Sequence, residues 1–146
     1  MSIDPDQVKT LIAYRLQQAR AALDDAKCLM DAARTPSSII NRSYYAMFYA
    51  ALALLQTIGK TPSKHTGALS LVDQEFVLTG RIPREAGRNL HRVFDLRQQS
   101  DYRVDPAIDD EAARIAWCQA VAFVKDVASY LTIQGFVVKQ QPPPSR

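Results

Sequence analysis

No residue between Arg42 and Lys60 carries a formal charge, and from Asn41 to Leu55 apolar side chains occupy nearly every side of a helical wheel. A helix of that kind is surrounded by other helices. It can be the centre of a bundle, and the run falls at or below the low end of what crosses a bilayer. Three tyrosines, a serine and a glutamine within it favour the buried helix of a soluble protein. Asn41, Tyr45, Phe48, Leu52 and Leu55 share one face, so an amide and a phenol stand in a stripe of core residues. Arg42, Ala46, Tyr49 and Ala53 form a second face of smaller side chains.

The flanking segments repeat apolar residues at three and four, which predicts helices around this one. The first runs from Asp6 to Ala33, with Arg15 inside its apolar stripe, where it either snorkels to the bundle end or meets a buried acid. Thr35-Pro36 supplies an N-cap and a first-turn proline for the central helix, which runs to Ile58 and stops at Gly59. A short helix follows from Thr66 to Leu78, with Leu69, Val72 and Phe76 inward. The fourth runs from Pro83 to Asp101 and the fifth from Asp109 to Ile133. No strand-like alternation or internal repeat is present. The expectation is an all-α, up-and-down antiparallel bundle of four to five helices over residues 1–135, followed by a flexible proline-rich tail, 136–146.

The fifth helix has two apolar strips. Ala113, Ala116, Ala120, Phe123, Val127 and Tyr130 face inward, while Trp117, Val121, Val124 and Ala128 offer a second side that another subunit would cover. Charge is uneven although the net value is only +3. Arg81 to Arg103 holds six arginines against Glu85, Asp95 and Asp101, and Val104 to Leu131 holds five acids against Arg114 and Lys125. Mutual support between neighbouring helices accounts for this more simply than a strip that meets phosphate.

Familiar catalytic spacings are missing: no glycine-rich phosphate loop, no His-Glu-x-x-His, no Cys-x-x-Cys. Two histidines, His65 and His91, and two isolated cysteines, Cys28 and Cys118, make a poor metal site, so neither metal nor cofactor is expected. Unpaired cysteines fit a reducing compartment, and Met-Ser-Ile-Asp-Pro-Asp does not read as a signal peptide, which together predict a cytoplasmic protein.

Four polar sets remain. Asn41 and Arg42 with Tyr44 and Tyr45 are either a bonded helix start or part of a site. Arg97, Gln98, Asp101 and Tyr102 place an arginine and an aspartate one turn apart on the face of Leu90 and Phe94; they are either an internal ion pair or a phosphate-binding fork held by its carboxylate. Lys64-His65-Thr66 opens a helix and is either a solvated cap or an anion site. Arg84, Arg88 and Arg92 form an outward row, either solvated or following an RNA backbone.

Asn41-Arg42-x-Tyr44-Tyr45-Ala46-x-Phe48 followed two helices later by Leu96-Arg97-x-x-x-Asp101-Tyr102 resembles HEPN-domain proteins. Ser63-Lys64-His65-Thr66-Gly67, Glu75-Phe76 and Phe123-Val124 extend the similarity over all but the tail. The resemblance implies a homodimer with polar residues of the second and fourth helices at its cleft, and a minimal nucleotidyltransferase partner in a toxin–antitoxin pair. It also implies a metal-independent ribonuclease whose arginine, here Arg97, binds the scissile phosphate and is separated from a following histidine by four to six residues. This chain holds Tyr102, Arg103 and Val104 at those positions. Asp101 or His65 would then have to serve as the base. On this reading Arg97, Asp101 and Tyr102 are the catalytic candidates, while Asn41, Arg42, Tyr45, Lys64 and His65 bind RNA or a nucleotide. A non-catalytic nucleotide-binding or docking module for a nucleotidyltransferase is the alternative.

Overall fold

The structure, a computed structural model, describes residues 4–102 and 108–138, with Tyr102 described by its backbone alone. Five helices form an all-α up-and-down bundle: α1 (Pro5–Asp31), α2 (Pro36–Gln56), α3 (His65–Val72), α4 (Arg84–Tyr102) and α5 (Asp110–Ile133). There is no strand among the described residues. α3 continues without a break into a wider π-helical turn, Asp73–Val77.

Local chemistry explains the helix ends. The Asp4 carboxylate accepts from the Asp6 amide at 3.0 Å and Pro5 occupies the first turn of α1. At α5 the Asp109 carboxylate accepts from the Ala112 amide at 2.9 Å. Thr35 caps α2 by position only, because its hydroxyl meets that of Ser38 at 2.8 Å and bonds no backbone amide. Beyond Gln56 the chain leaves the helix through Gly59, whose φ of 71° suits a residue without a side chain.

α2 is the centre of the molecule and packs against α1, α3, α4 and α5. Ile40, Tyr44, Met47, Ala50, Ala51, Leu54 and Leu55 are wholly buried along it. Its Asn41, Tyr45, Phe48 and Leu52 are only half-buried, so the stripe expected to lie in the core is the side of α2 that reaches the surface, apart from Leu55. The polar groups on that stripe are therefore not stranded among core residues. Phe76 from the π turn and Phe123 from α5 complete the interior, each fully buried and each contributing about 1.5–3 kcal/mol of hydrophobic stabilisation.

Two other expectations resolve differently. Arg15 pairs with no acid among the described residues; its Nη1 donates to Gln18 Oε1 at 3.0 Å on the same helix. The charge excesses of α4 and α5 do not pair across the helices among the described residues. Arg88 pairs with Glu85 and Arg114 with Glu111, each one turn away on its own helix. Phe136 and Val137, just after α5, pack against the core, whereas residues 139–146 of the expected tail lie outside the described residues.

Candidate functional site

The polar start of α2, the first residue of α3 and the last turns of α4 meet at one end of the bundle. Arg97 joins them. Its guanidinium carbon lies 5.2 Å from the ring centres of both Tyr44 and Tyr45, a cation–π arrangement that holds a charge at the surface of the core. The Arg42 guanidinium also lies 5.2 Å from the Tyr45 ring centre. Two cations thus stand over one half-buried tyrosine.

Arg97 Nε stands 3.4 Å from Asp101 Oδ2, so the expected one-turn ion pair exists. It is only a charge contact: Nε is shielded from solvent and has no hydrogen-bond partner among the described residues. A buried donor without a partner is costly and ready to accept one. With its side chain 21% exposed, Arg97 is neither a core ion pair nor a free surface cation. The pair expected near the end of α4 is thus present and partly exposed.

Tyr44 is completely buried, and its phenol meets His65 Nδ1 at 2.8 Å. Burial pushes the Tyr44 pKa well above the ordinary tyrosine value, with Arg97 opposing the shift and Tyr45 adding to it. A buried phenol that keeps its proton needs an acceptor for it, and donation to Nδ1 of a neutral imidazole would leave the ring's own proton on Nε2. The His65 ring stacks on Phe48 with centres 4.2 Å apart. Its pKa is lowered, first by burial and then by the Arg97 charge. In that tautomer His65 offers its Nε2–H beside the Arg97 charge.

Next to this cluster is a hollow of about 540 Å³, lined in part by Ser37, Ser38, Asn41, Arg42, Ser100 and Asp101. Arg42 donates to Asn41 Oδ1 through Nε and Nη2, both at 3.3 Å, which holds the two side chains together at its wall. Hydroxyls, an amide, a guanidinium and a carboxylate around one opening can position a phosphorylated ligand.

Of the residues expected from sequence, Asn41, Arg42, Tyr45, His65, Arg97 and Asp101 are brought together. Lys64 immediately precedes α3 and is exposed, with no described bond to the others. The Tyr102 side chain lies outside the described residues, as do Arg103 and Val104. Tyr44, named in the first polar set but given no binding role, and Phe48, read as a core residue, hold the His65 ring. The available signal was that a buried phenol needs a hydrogen-bond partner and that this chain has only two histidines. Among the described residues no cluster of metal-ligating side chains occurs, and no helix is long and apolar enough to cross a membrane.

Comparison with known proteins matches a family model, the HEPN domain, to residues 12–130. A UPF0332 protein of Thermotoga maritima is 41% identical over 97 residues, covering 66% of this chain and 73% of its own length. A Methanocaldococcus jannaschii protein whose name makes it a candidate toxin is 35% identical over 92 residues, 63% of this chain and 68% of its own. A UPF0332 protein of Gloeobacter violaceus is 32% identical over 117 residues, 80% of this chain and 92% of its own.

Proposed function

The chain belongs to the HEPN-domain family, and from that premise we propose that it is the toxin-like subunit of a two-component toxin–antitoxin system, binding RNA or a nucleotide at the Arg97 cleft. The observation that carries this reading is the state of Arg97 itself. A guanidinium held over two tyrosine rings, with an Nε that has no hydrogen-bond partner among the described residues, suits an anion site.

In this reading Arg97 binds the phosphate and Asp101 holds the guanidinium or accepts a proton. Asn41 and Arg42 complete the wall, Tyr45 gives a face for a base to stack on, and Lys64 adds charge at the rim. His65 donates to a phosphate oxygen through Nε2. Cleavage without a metal would proceed by attack of the ribose 2′-oxygen on phosphorus with departure of the 5′-oxygen. Asp101 would take the 2′ proton, and Tyr102, as donor to the leaving oxygen or as a residue modified by the partner enzyme, would act at the end of α4. The protein works in the cytoplasm as a homodimer, with a minimal nucleotidyltransferase as its antitoxin.

The test is expression with and without the neighbouring gene product, comparing the parent with Arg97→Ala. Growth arrest and RNA cleavage that disappear in Arg97→Ala and are relieved by the neighbour support the proposal. Unchanged growth, intact RNA and no RNA binding by the purified protein refute it.

A second reading is a non-catalytic module that binds nucleotide and docks the nucleotidyltransferase. The sequence at Tyr102, Arg103 and Val104 favours it, because no histidine stands where the family's ribonucleases place theirs. Calorimetry that finds nucleotide and partner binding without any RNA cleavage selects this reading.

A further inference from the structure

A broad concave surface lies away from the Arg97 site, between α1 from Lys9 to Leu23 and the C-terminal half of α5. It is a groove of about 1150 Å³. Leu16, Leu23, Val121, Val124 and Phe136 supply an apolar floor. It exists because the side chains that meet between the two helices are short: Thr10 and Ala13 on α1, Ala128, Ser129 and Thr132 on α5. Next to the lining residue Leu23, Trp117 ties α5 to α1 by donating from Nε1 to the Leu23 carbonyl at 3.1 Å. Among the lining residues, Ile133 and Val138, 80% and 93% exposed, leave large apolar side chains in solvent.

Its rim has one sign of charge. Lys9 and Arg20 stand on the α1 side and Lys125 on the α5 side, and no carboxylate lines the groove among the described residues. None of the three cations forms an ion pair among the described residues. Asp126, next to Lys125 in sequence, is half-buried and is not part of the lining. Three exposed cations around an apolar trough are complementary to an acidic amphipathic segment.

We propose that this α1–α5 groove docks an amphipathic helix of a separate protein, one that presents an apolar stripe flanked by aspartate or glutamate. From Lys9 to Leu23 the groove is about 20 Å long, which accommodates three to four helical turns. Charge argues against the two other occupants. The chain's own C-terminal residues 139–146 carry Lys139 and Arg146 and no acid. A second copy seated groove to groove would bring the same cations face to face. An acidic segment also leaves the Arg97 cleft open, since the groove and the cleft share no lining residue.

The probe is a synthetic eighteen-residue helix with leucines on one face and flanking glutamates, measured by fluorescence anisotropy on the full chain, beside the same peptide with lysines for glutamates. The glutamate peptide binds saturably and the lysine peptide at least tenfold more weakly. The triple variant Lys9→Glu, Arg20→Glu, Lys125→Glu, all at exposed positions and checked for parental helicity by circular dichroism, reverses that order. Val121→Asp weakens both peptides. No saturation, or equal affinity in parent and triple variant, overturns the proposal. A tenfold gain on truncation after Val138 identifies the chain's own C-terminus as the occupant and overturns it too. A change in sedimentation coefficient confined to the triple variant identifies a second copy, with the same consequence.

Discussion

The Tyr44 hydroxyl and His65 Nδ1 meet at 2.8 Å across 21 residues of sequence, joining the middle of the buried helix α2 to the first residue of α3. When the phenol donates in that bond, the neutral ring carries its proton on Nε2, and that nitrogen is what His65 offers to a ligand. Removing the hydroxyl in Tyr44→Phe leaves the ring shape and its contacts with Phe48 and Phe94 intact. The loss is one buried hydrogen bond, about 1–2 kcal/mol. Urea denaturation followed by far-ultraviolet circular dichroism checks it, and a variant as stable as the parent would show that the bond is not formed in solution.

His65 titrates below its ordinary value of about 6.5, because burial and then the Arg97 charge disfavour the imidazolium. In the window between the lowered folded value and 6.5, the unfolded chain binds more protons at this site than the folded one. Stability therefore rises with pH through that window, is fully present above 6.5, and is lost as pH falls. Nuclear magnetic resonance of the imidazole ring, assigned with His91→Gln, should show a midpoint below 6.5. In Arg97→Ala the midpoint moves up but stays below 6.5, since burial is the larger cause. A parent midpoint above 6.5 would contradict the arrangement.

Arg97 is held by tyrosine faces and one loose carboxylate contact, so its removal costs the fold little and the ligand much. Arg97→Ala loses cation–π contacts worth about 0.5–1 kcal/mol each. Its affinity for a labelled single-stranded RNA oligonucleotide should fall at least tenfold by anisotropy. Arg97→Lys keeps the charge but not the planar fork, and should restore less than half of that loss in free energy. Equal RNA binding by all three proteins would remove Arg97 from the site.

Much of this was legible from residue spacing, and the gaps have physical causes. Four long helices could be placed within a few residues because proline, aspartate and glycine mark their ends. The Arg97–Asp101 contact was legible because residues four apart on a helix are neighbours. What Arg97 touches on α2 was not, since a helix apolar on all sides gives no direction to its wheel. The stripe of Tyr45 and Phe48 was accordingly placed in the core when it lies half at the surface. Tyr44 to His65 was hidden for another reason: the contact crosses a loop, and periodicity says nothing about where a loop returns. The π turn at Asp73–Val77 was read as part of one continuous helix, because apolar spacing does not reveal a close approach from another helix such as that of Gly87 to Val77.

Gly87 gives the last prediction. Sited on α4, it leaves room for the π turn: a Cβ there would lie 2.9 Å from Val77 Cγ2 and 3.2 Å from Cγ1. Valine is branched at Cβ and cannot swing its methyl groups aside without leaving its rotamer. Alanine at 87 would gain about 1 kcal/mol of helix propensity over glycine, but overpacking costs about 1–3 kcal/mol, so Gly87→Ala should destabilise the protein by up to about 2 kcal/mol. The contact can be separated from other effects by a double-mutant cycle with Val77→Ala, which removes both methyls. If Gly87→Ala is destabilising in the parent and neutral or stabilising beside Val77→Ala, the glycine is required by the approach of the π turn. The same cost in both backgrounds would place the cause elsewhere on α4. The His91–Asp73 contact, Nε2 to Oδ2 at 2.6 Å, lies one turn further along the same helix. It should loosen in Gly87→Ala as the π turn is pushed outward, which the imidazole resonances of His91 would report.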